Sequence, residues 1–335
     1  MKTMPLKNYK SKLSLYETQK AIKSIKDFFQ TSFASSLNLR RVSAPLFVDP
    51  TSGMNDNLNG VERPVGFDIK DIPNVNGEVV QSLAKWKRYA LEKYGFKMHK
   101  GLYTDMNAIR RDEQLDNIHS LYVDQWDWEK VISKKDRSIA YLEKTVKEIY
   151  KTILSLEMFM SYSYEYIHPI LPNHITFVDS EDLLRMYPDK SPKEREYLIT
   201  KEKKAVFIQR IGGKLSDGKE HDLRSPDYDD WNLNGDILVY YPLLDIALEL
   251  SSMGIRVDDV SLKRQLILSG KEEREKLPFQ KAILENRLPL TIGGGIGQSR
   301  LCMFILRKAH IGEIQCSLWP KKMIEECEKD NIFLL

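Results

Sequence analysis

Residues 291–301 read TIGGGIGQSRL, which places four of the chain's 17 glycines within five positions. Glycine loses more backbone freedom on folding than any other residue, so Gly293, Gly294, Gly295 and Gly297 imply a close approach to the backbone. The pattern is not the dinucleotide fingerprint G-x-G-x-x-G. Counted from Gly293 its last position is Gln298, and counted from Gly295 it is Arg300. No Walker A sequence occurs either, because Gly212-Gly213-Lys214 lacks both the earlier glycine and the following Ser or Thr. A tight strand-to-helix crossing would explain the glycines, and so would a ligand. Arg300, at the start of an apolar helix behind a Gly-lined groove, favours a planar or anionic ligand.

Two further stretches carry charge in patterns that could do chemistry. In 108–129, AIRRDEQLDNIHSLYVDQWDWE, an Arg-bearing strand, a polar loop and a returning strand bring Arg110 towards Gln125 and Asp127. An ordinary surface ion pair is the alternative there. In 221–251, Asp227, Asp229, Asp230, Asp236 and Glu249 crowd together, ahead of Ser251. Such carboxylates repel unless a divalent cation or a cationic substrate lies among them. A solvated acidic loop describes Asp230 better than Asp236 and Glu249, which fall in apolar strands. The six histidines show no metal-ligand spacing and are read as structural or hydrogen-bonding.

Secondary structure must hold these groups in place. Ser14 and Glu17 form a capping box ahead of Ile22, Ile25, Phe29 and Phe33, which predicts a helix to about Leu37. Val42, Leu46, Phe47 and Val48 suggest a strand, with Pro45 confining it to an edge or a bulge. Residues 136–160 form a second long helix, with Ile139, Leu142, Val146, Ile149, Ile153 and Met160 on one face. Ser191, Pro192 and Glu194 start a third. Period two takes over at 244–250, where Leu244, Ile246, Leu248 and Leu250 share a face. It also appears at 121–129, where Gln125, Asp127 and Glu129 oppose Trp126 and Trp128. Strands and helices come in groups, which favours an α+β fold with an antiparallel sheet flanked by helices, in one domain spanning 1–335. The charged runs 193–204 and 271–276 read as solvated helix faces.

Composition narrows the class. The chain has 335 residues, 42% hydrophobic and 30% charged, with 51 Lys and Arg against 48 Asp and Glu, a net charge of +3. These values are globular and outside the disordered range. The charge is too small to be a footprint for nucleic acid or membrane. Uncharged runs of about a dozen residues fall short of a transmembrane span, and the N-terminus lacks the apolar core of a secretory signal. Three cysteines without CxxC spacing suit a reducing cytoplasm and suggest neither a disulfide framework nor a zinc site.

Long blocks resemble one family nearly end to end: the ammonia-dependent, type A asparagine synthetases, or aspartate–ammonia ligases. They include GMNDNLNG (53–60), VVQSLAKWKR (79–88), GLYTDMNAIR (101–110), HSLYVDQWDWE (119–129), IGGKLSDG (211–218), SPDYDDW (225–231), NGDILV (234–239), ELSSMGIRV (249–257) and TIGGGIGQSRL (291–301). The resemblance implies a class II aminoacyl-tRNA synthetase-like catalytic core working as a homodimer. Motif 1 would be the helix ending near Leu37 and the strand through Pro45. Motif 2 would run from Arg110, which holds the α-phosphate and the substrate carboxylate, to Glu129. Motif 3 would comprise Gly295, Gly297 and the ATP-binding Arg300. Where motif 2 of synthetases usually offers a Phe to stack on adenine, this chain has Val123, so Val123 and Arg300 would flank the base.

The implied reaction makes β-aspartyl-AMP from ATP and L-aspartate with release of pyrophosphate, after which ammonia displaces AMP to give L-asparagine. In that scheme Arg110 and Arg300 neutralise phosphate charge. Asp236 and Glu249 hold Mg²⁺. Lys87, Gln125 and Arg110 grip aspartate carboxylates, and Asp127 or Ser82 accepts from its ammonium. Ser251 and Arg256 join the aspartate contacts, while Ser120, Arg224, Tyr228 and Asp229 join the nucleotide contacts. Asp56 is expected to bind ammonium and take its proton. Free ammonia is the expected donor, since residue 2 is Lys rather than the cysteine nucleophile of glutamine-dependent enzymes. Two rivals are an aspartyl- or asparaginyl-tRNA synthetase and a non-catalytic paralogue. The first needs an anticodon-binding barrel ahead of motif 1, for which residues 1–14 leave no room. The second predicts broken motifs, whereas Arg110, Asp236, Glu249 and Arg300 are present.

Overall fold

The structure is a computed structural model that describes residue 6, residues 9–56 and residues 62–335, so 57–60 of the GMNDNLNG block lie outside the described residues. In chain order the elements are α1 (Leu15–Leu37), β1 (Leu39–Arg41), β2 (Phe47–Val48), β3 (Gly66–Asp68), β4 (Asn76–Val79), α2 (Ala84–Lys93), β5 (Gly101–Ile109), β6 (Tyr122–Val131), α3 (Ile139–Ser163), β7 (Thr176–Asp179), α4 (Ser180–Met186), α5 (Pro192–Lys203), β8 (Ala205–Gln209), β9 (Asp229–Tyr241), β10 (Ile246–Arg256), α6 (Asp259–Leu268), α7 (Pro278–Leu284), β11 (Thr291–Gly297), α8 (Gln298–Leu306) and α9 (Lys321–Lys329).

Eight strands form one sheet in the order β1-β5-β6-β11-β10-β9-β8-β7. Its six central strands are antiparallel, as expected, and each edge adds a parallel partner, β1 on β5 and β7 on β8. The strand expected across 42–48 is divided by Pro45. The chain before it pairs in the large sheet as β1, and the chain after it pairs with β4 in a separate three-stranded sheet. The break runs from Val42 to Leu46, with Pro45, which has no N–H to give to a ladder, inside it.

The helices begin at their caps. The Ser14/Glu17 box opens α1, which buries Ile22, Ile25, Phe29, Phe33 and Leu37 and closes on Asn38 in the left-handed conformation. Ser138 caps α3, so this helix starts at Ile139 and reaches Ser163, a few residues later at both ends than the periodicity predicts. Ser191, Pro192 and Glu194 open α5. The charged runs are less solvated than expected. Arg195 and Glu196 are buried, with Arg195 Nε donating to Tyr187 O and Glu196 facing His221. Arg274 reaches Asp227 at 3.1 Å.

One face of the sheet is the main core. Trp126 and Trp128 of β6 meet Phe29 and Phe33 of α1 at ring distances of 4.8 and 6.0 Å, and α3 and α8 close the same layer with Val146, Ile149, Leu301 and Phe304. Gln125, Asp127 and Glu129 alternate to the other face. In β10, Leu248 and Leu250 face the core, and a bulge between Glu249 and Ser251 then changes the phase, so that Met253 and Ile255 face it instead. Phe33→Ala should lower stability by about 3–5 kcal/mol in urea unfolding. Tyr162→Ala on α3, at a site 83% exposed, should move it by less than about 0.5 kcal/mol.

Candidate active site

On the face opposite the main core, two cavities adjoin. The first, about 240 Å³, is walled by Ser120, Val123, Ser251, Gly297 and Arg300, with Ile311 and Gln315 contributing. The second, about 280 Å³, is walled by Ser82, Lys87, Asp127, Arg224, Tyr228, Asp229 and Arg256. Arg110, Gln125, Glu249, Ser252 and Gly295 belong to both walls. Most of the sequence candidates thus converge from β6, β10, β11, α8, the end of β5, the start of α2 and the loop before β9, while Asp236 of β9 lies in neither wall. Arg224, Tyr228 and Asp229, expected on the nucleotide, wall the same cavity as the aspartate candidates. Ser251, expected on aspartate, walls the other one.

Beneath the second cavity lies a buried charge network. Lys87 Nζ donates to Asp127 Oδ1 at 2.7 Å and to Gly294 O at 3.1 Å. Burial pushes the Lys87 ammonium below its ordinary range, with the Asp127 charge opposing that shift. Arg256 reaches Glu129 Oε2 through Nε at 3.1 Å and Asp229 Oδ1 through a second nitrogen at 2.5 Å. Burial acts to lower the Arg256 guanidinium, yet Glu129 and Asp229 hold it above its ordinary range. Burial also raises the Tyr228 phenol, followed by the charges of Asp56 and Asp229. Asp56 is itself buried and lines neither cavity. Gln81 Nε2 donates to its carbonyl at 3.1 Å, and Lys85 Nζ to that of Asn55 at 3.4 Å.

The glycines of β11 make room for this network. A Cβ on Gly293 would come within 2.6 Å of Glu129 Oε2 and 2.8 Å of an Arg256 nitrogen, and one on Gly295 would strike the Gln125 amide. In the first cavity, Arg300 Nε donates to Ile118 O at 3.4 Å and a terminal nitrogen donates to Glu249 O at 3.3 Å. Ser251 Oγ donates to Gly295 O, and Ser120 Oγ to Ser317 Oγ. Arg110 lies 3.7 Å from Glu113, and its Nε has no hydrogen-bond partner among the described residues.

The crowded acids of 227–236 are matched by arginines, one from the same segment and the others from elsewhere in the chain. Asp227 meets Arg274, Asp229 meets Arg256, Asp236 meets Arg224, and Asp230 meets Arg137 at 2.9 Å and Arg264 at 3.1 Å. Asp230 is thus buried and paired, contrary to the solvated loop expected for it. Burial, with Glu249 adding to it and Arg224 opposing, pushes the Asp236 carboxyl up to about 7. Its Oδ1 is buried without a hydrogen-bond partner among the described residues. The pair Asp236 and Glu249 therefore has unused oxygen capacity and mutual repulsion, which fits a divalent cation. Magnesium commonly takes one or two carboxylates together with phosphate oxygens.

Sequence reasoning missed Asp124. It accepts from Ser299 N at 3.0 Å and Ser299 Oγ at 2.9 Å, anchoring the first turn of α8 next to Arg300, and Lys26 of α1 lies 3.3 Å away. The signal was available, because an acid in phase with Trp126 and Trp128 needs a partner. Gln81 and Gln315 carried no comparable signal.

Comparison with known proteins identifies relatives of this chain. An aspartate–ammonia ligase of Clostridium perfringens is 62% identical over 329 residues, 98% of each chain, and one of Lactobacillus acidophilus is 56% identical over 336 residues, the full length of both. Among solved structures, an asparaginyl-tRNA synthetase of Entamoeba histolytica in complex with asparaginyl-adenylate is similar with a TM-score of 0.64 at 12% identity, over 90% of this chain and 66% of that one. The aspartyl-tRNA synthetase of the same organism gives 0.59 at 14%, over 89% and 58%. This chain thus spans two thirds or less of those synthetases, and at such identities the likeness establishes the fold, a class II synthetase core. The family model described as aspartate-ammonia ligase matches residues 16–331; with that match and these full-length relatives, the chain belongs to the aspartate–ammonia ligase family.

Proposed function

We propose that the chain, acting as one catalytic domain, makes L-asparagine from L-aspartate, ammonia and ATP through β-aspartyl-AMP, with adenylate formation where the two cavities meet. The observation that carries this reading is the shared wall. Arg110, Gln125 and Glu249 border both cavities, so a group in one can reach a group in the other. The first cavity takes ATP, with its base between Val123 and Arg300 and its α-phosphate at Arg110. The second takes aspartate against Lys87, Gln125, Asp127 and Ser82, with Arg224, Tyr228, Asp229 and Arg256 as its outer frame.

Carboxylate and ammonia do not condense directly, because oxide is a poor leaving group. A β-carboxylate oxygen attacks the α-phosphorus as the bond to pyrophosphate breaks, and Arg110 is placed to balance the charge that develops there. Asp236 and Glu249 would hold Mg²⁺, which when bound neutralises phosphate oxygens. Ammonia then forms the C–N bond and AMP departs with the former β-oxygen. Asp56, whose charge acts on the Tyr228 phenol, binds the incoming ammonium and accepts its proton. Pairing of α1 and β1 with a second copy would complete the homodimer, and Tyr16 on α1 is 75% exposed. Among the described residues no helix is long and apolar enough to cross a membrane, and the setting proposed for the reaction is the cytoplasm.

With ATP, Mg²⁺ and aspartate, asparagine and AMP should appear together only when ammonium is added. ADP as the product would instead indicate a phosphoryl intermediate, and charging of tRNA with labelled aspartate would indicate a synthetase. Asp56→Asn should leave aspartate-dependent pyrophosphate exchange within about twofold and lower amide formation by about 10²–10⁴-fold. Equal loss of both steps would remove Asp56 from the role of base. Asp236→Ala should raise the Mg²⁺ concentration needed for half-maximal pyrophosphate exchange by about tenfold or more, measured by metal titration at fixed ATP.

A further inference from the structure

Gln315 walls the first cavity, and the assignments above leave it without a role. It follows the short 3₁₀ turn Ile311–Glu313, and its own N–H donates to Ile311 O at 3.1 Å, which fixes the backbone. The side chain is 6% exposed, and its Oε1 has no hydrogen-bond partner among the described residues. A buried amide oxygen left unpaired is costly and uncommon in a native fold.

The position of this residue indicates what would pair it. Arg110, Gln125 and Glu249 mark the junction with the aspartate cavity, where the α-phosphate has to lie. Gln315 borders the first cavity alone, as do Val123 and Arg300, so it belongs to the end that holds the base. Val123 and Arg300 take the faces of a base and leave its edge to be read by another group. Glu113, also on that wall, lies 3.7 Å from Arg110, and as an acceptor it cannot donate to the ring nitrogen beside the amine, while several other polar side chains there are already engaged. Ser120 meets Ser317, Tyr122 donates to Asn107, Asp124 accepts from Ser299, and His119 Nδ1 faces Asp116. Adenine presents the donor N6–H₂ beside a ring-nitrogen acceptor, and a primary amide complements that pair. The terminal torsion of glutamine is broad and roughly two-fold, so the amide can turn its oxygen to the base while the backbone stays fixed.

We infer that Gln315 recognises the 6-amino edge of adenine and sets the preference of this enzyme for ATP over purine nucleotides that lack the amino group. The inference rests on the proposal that the first cavity takes ATP.

The test compares ATP with purine riboside 5′-triphosphate, which has hydrogen in place of the 6-amino group, by following AMP or purine riboside monophosphate release at saturating aspartate and ammonium. The unaltered enzyme needs no folding control and should show a KM about tenfold higher for the analogue. Equal KM values overturn the inference. In Gln315→Met, of similar length and volume, the KM for ATP should rise about tenfold to meet that of the analogue, with the analogue's own KM and the aspartate KM unchanged within about twofold. A Gln315→Met enzyme that keeps the preference shows that another group reads the amine, and also overturns it. Arg300→Ala separates the two levels of the argument. An ATP KM raised by Arg300→Ala but not by Gln315→Met sinks the inference alone. An ATP KM that neither change moves sinks the assignment of the cavity and the inference with it.

Discussion

The ion pair between Arg256 and Glu129 is the constraint on which the site face of the sheet depends. Both side chains are buried, Glu129 completely, and they lie on strands that flank β11. Glu129 also accepts from Thr291 Oγ1 at 2.7 Å, and Arg256 extends to Asp229. Removing one partner of such a pair leaves a buried charge uncompensated, at a cost of about 3–5 kcal/mol. Three neighbouring strands, β6, β11 and β10, and the start of β9 are therefore held in register by one charged cluster. The missing side chain of Gly293 is what lets the cluster close over β11.

A sheet with one face packed against helices and the other lined with charge has to keep those faces separate along every strand. β6 does so by simple alternation, with its tryptophans on one side and Gln125, Asp127 and Glu129 on the other. β10 uses a bulge: the extra residue after Glu249 changes the phase, so Ser252 and Arg256 join Glu249 on the site face while Met253 and Ile255 fall into the core. Without that step, Arg256 would face the apolar core rather than Glu129. The bulge is thus a condition for the ion pair, and the ion pair in turn fixes the strand beyond the bulge.

Charge balance also explains how so many acids share a small volume. Asp227, Asp229, Asp230 and Asp236 each have an arginine partner, drawn from loop and strand positions between Arg137 and Arg274. Asp236 stands apart because burial and Glu249 raise its carboxyl towards neutrality despite Arg224. Reactive capacity is concentrated where pairing is incomplete, at the unpartnered oxygen of Asp236, the unpartnered Nε of Arg110 and the amide of Gln315.

The amino-acid sequence by itself determined the helices with local caps, the alternation of β6, the class II core and most of the residues that wall the two cavities. These features are set by neighbours in the chain or by long blocks shared with a family. Tertiary structure decided the rest. Pro45 splits one expected strand between two sheets, because which ladder each half joins depends on strands distant in sequence. Asp230 is a buried ion-pair partner rather than a solvated acid, since Arg137 and Arg264 meet it only after folding. Arg224, Tyr228 and Asp229 wall the second cavity, with Lys87 and Asp127, rather than the first with Val123 and Arg300, for the same reason: spacing along the chain limits which residues can be neighbours, while cross-strand register and burial decide which ones are.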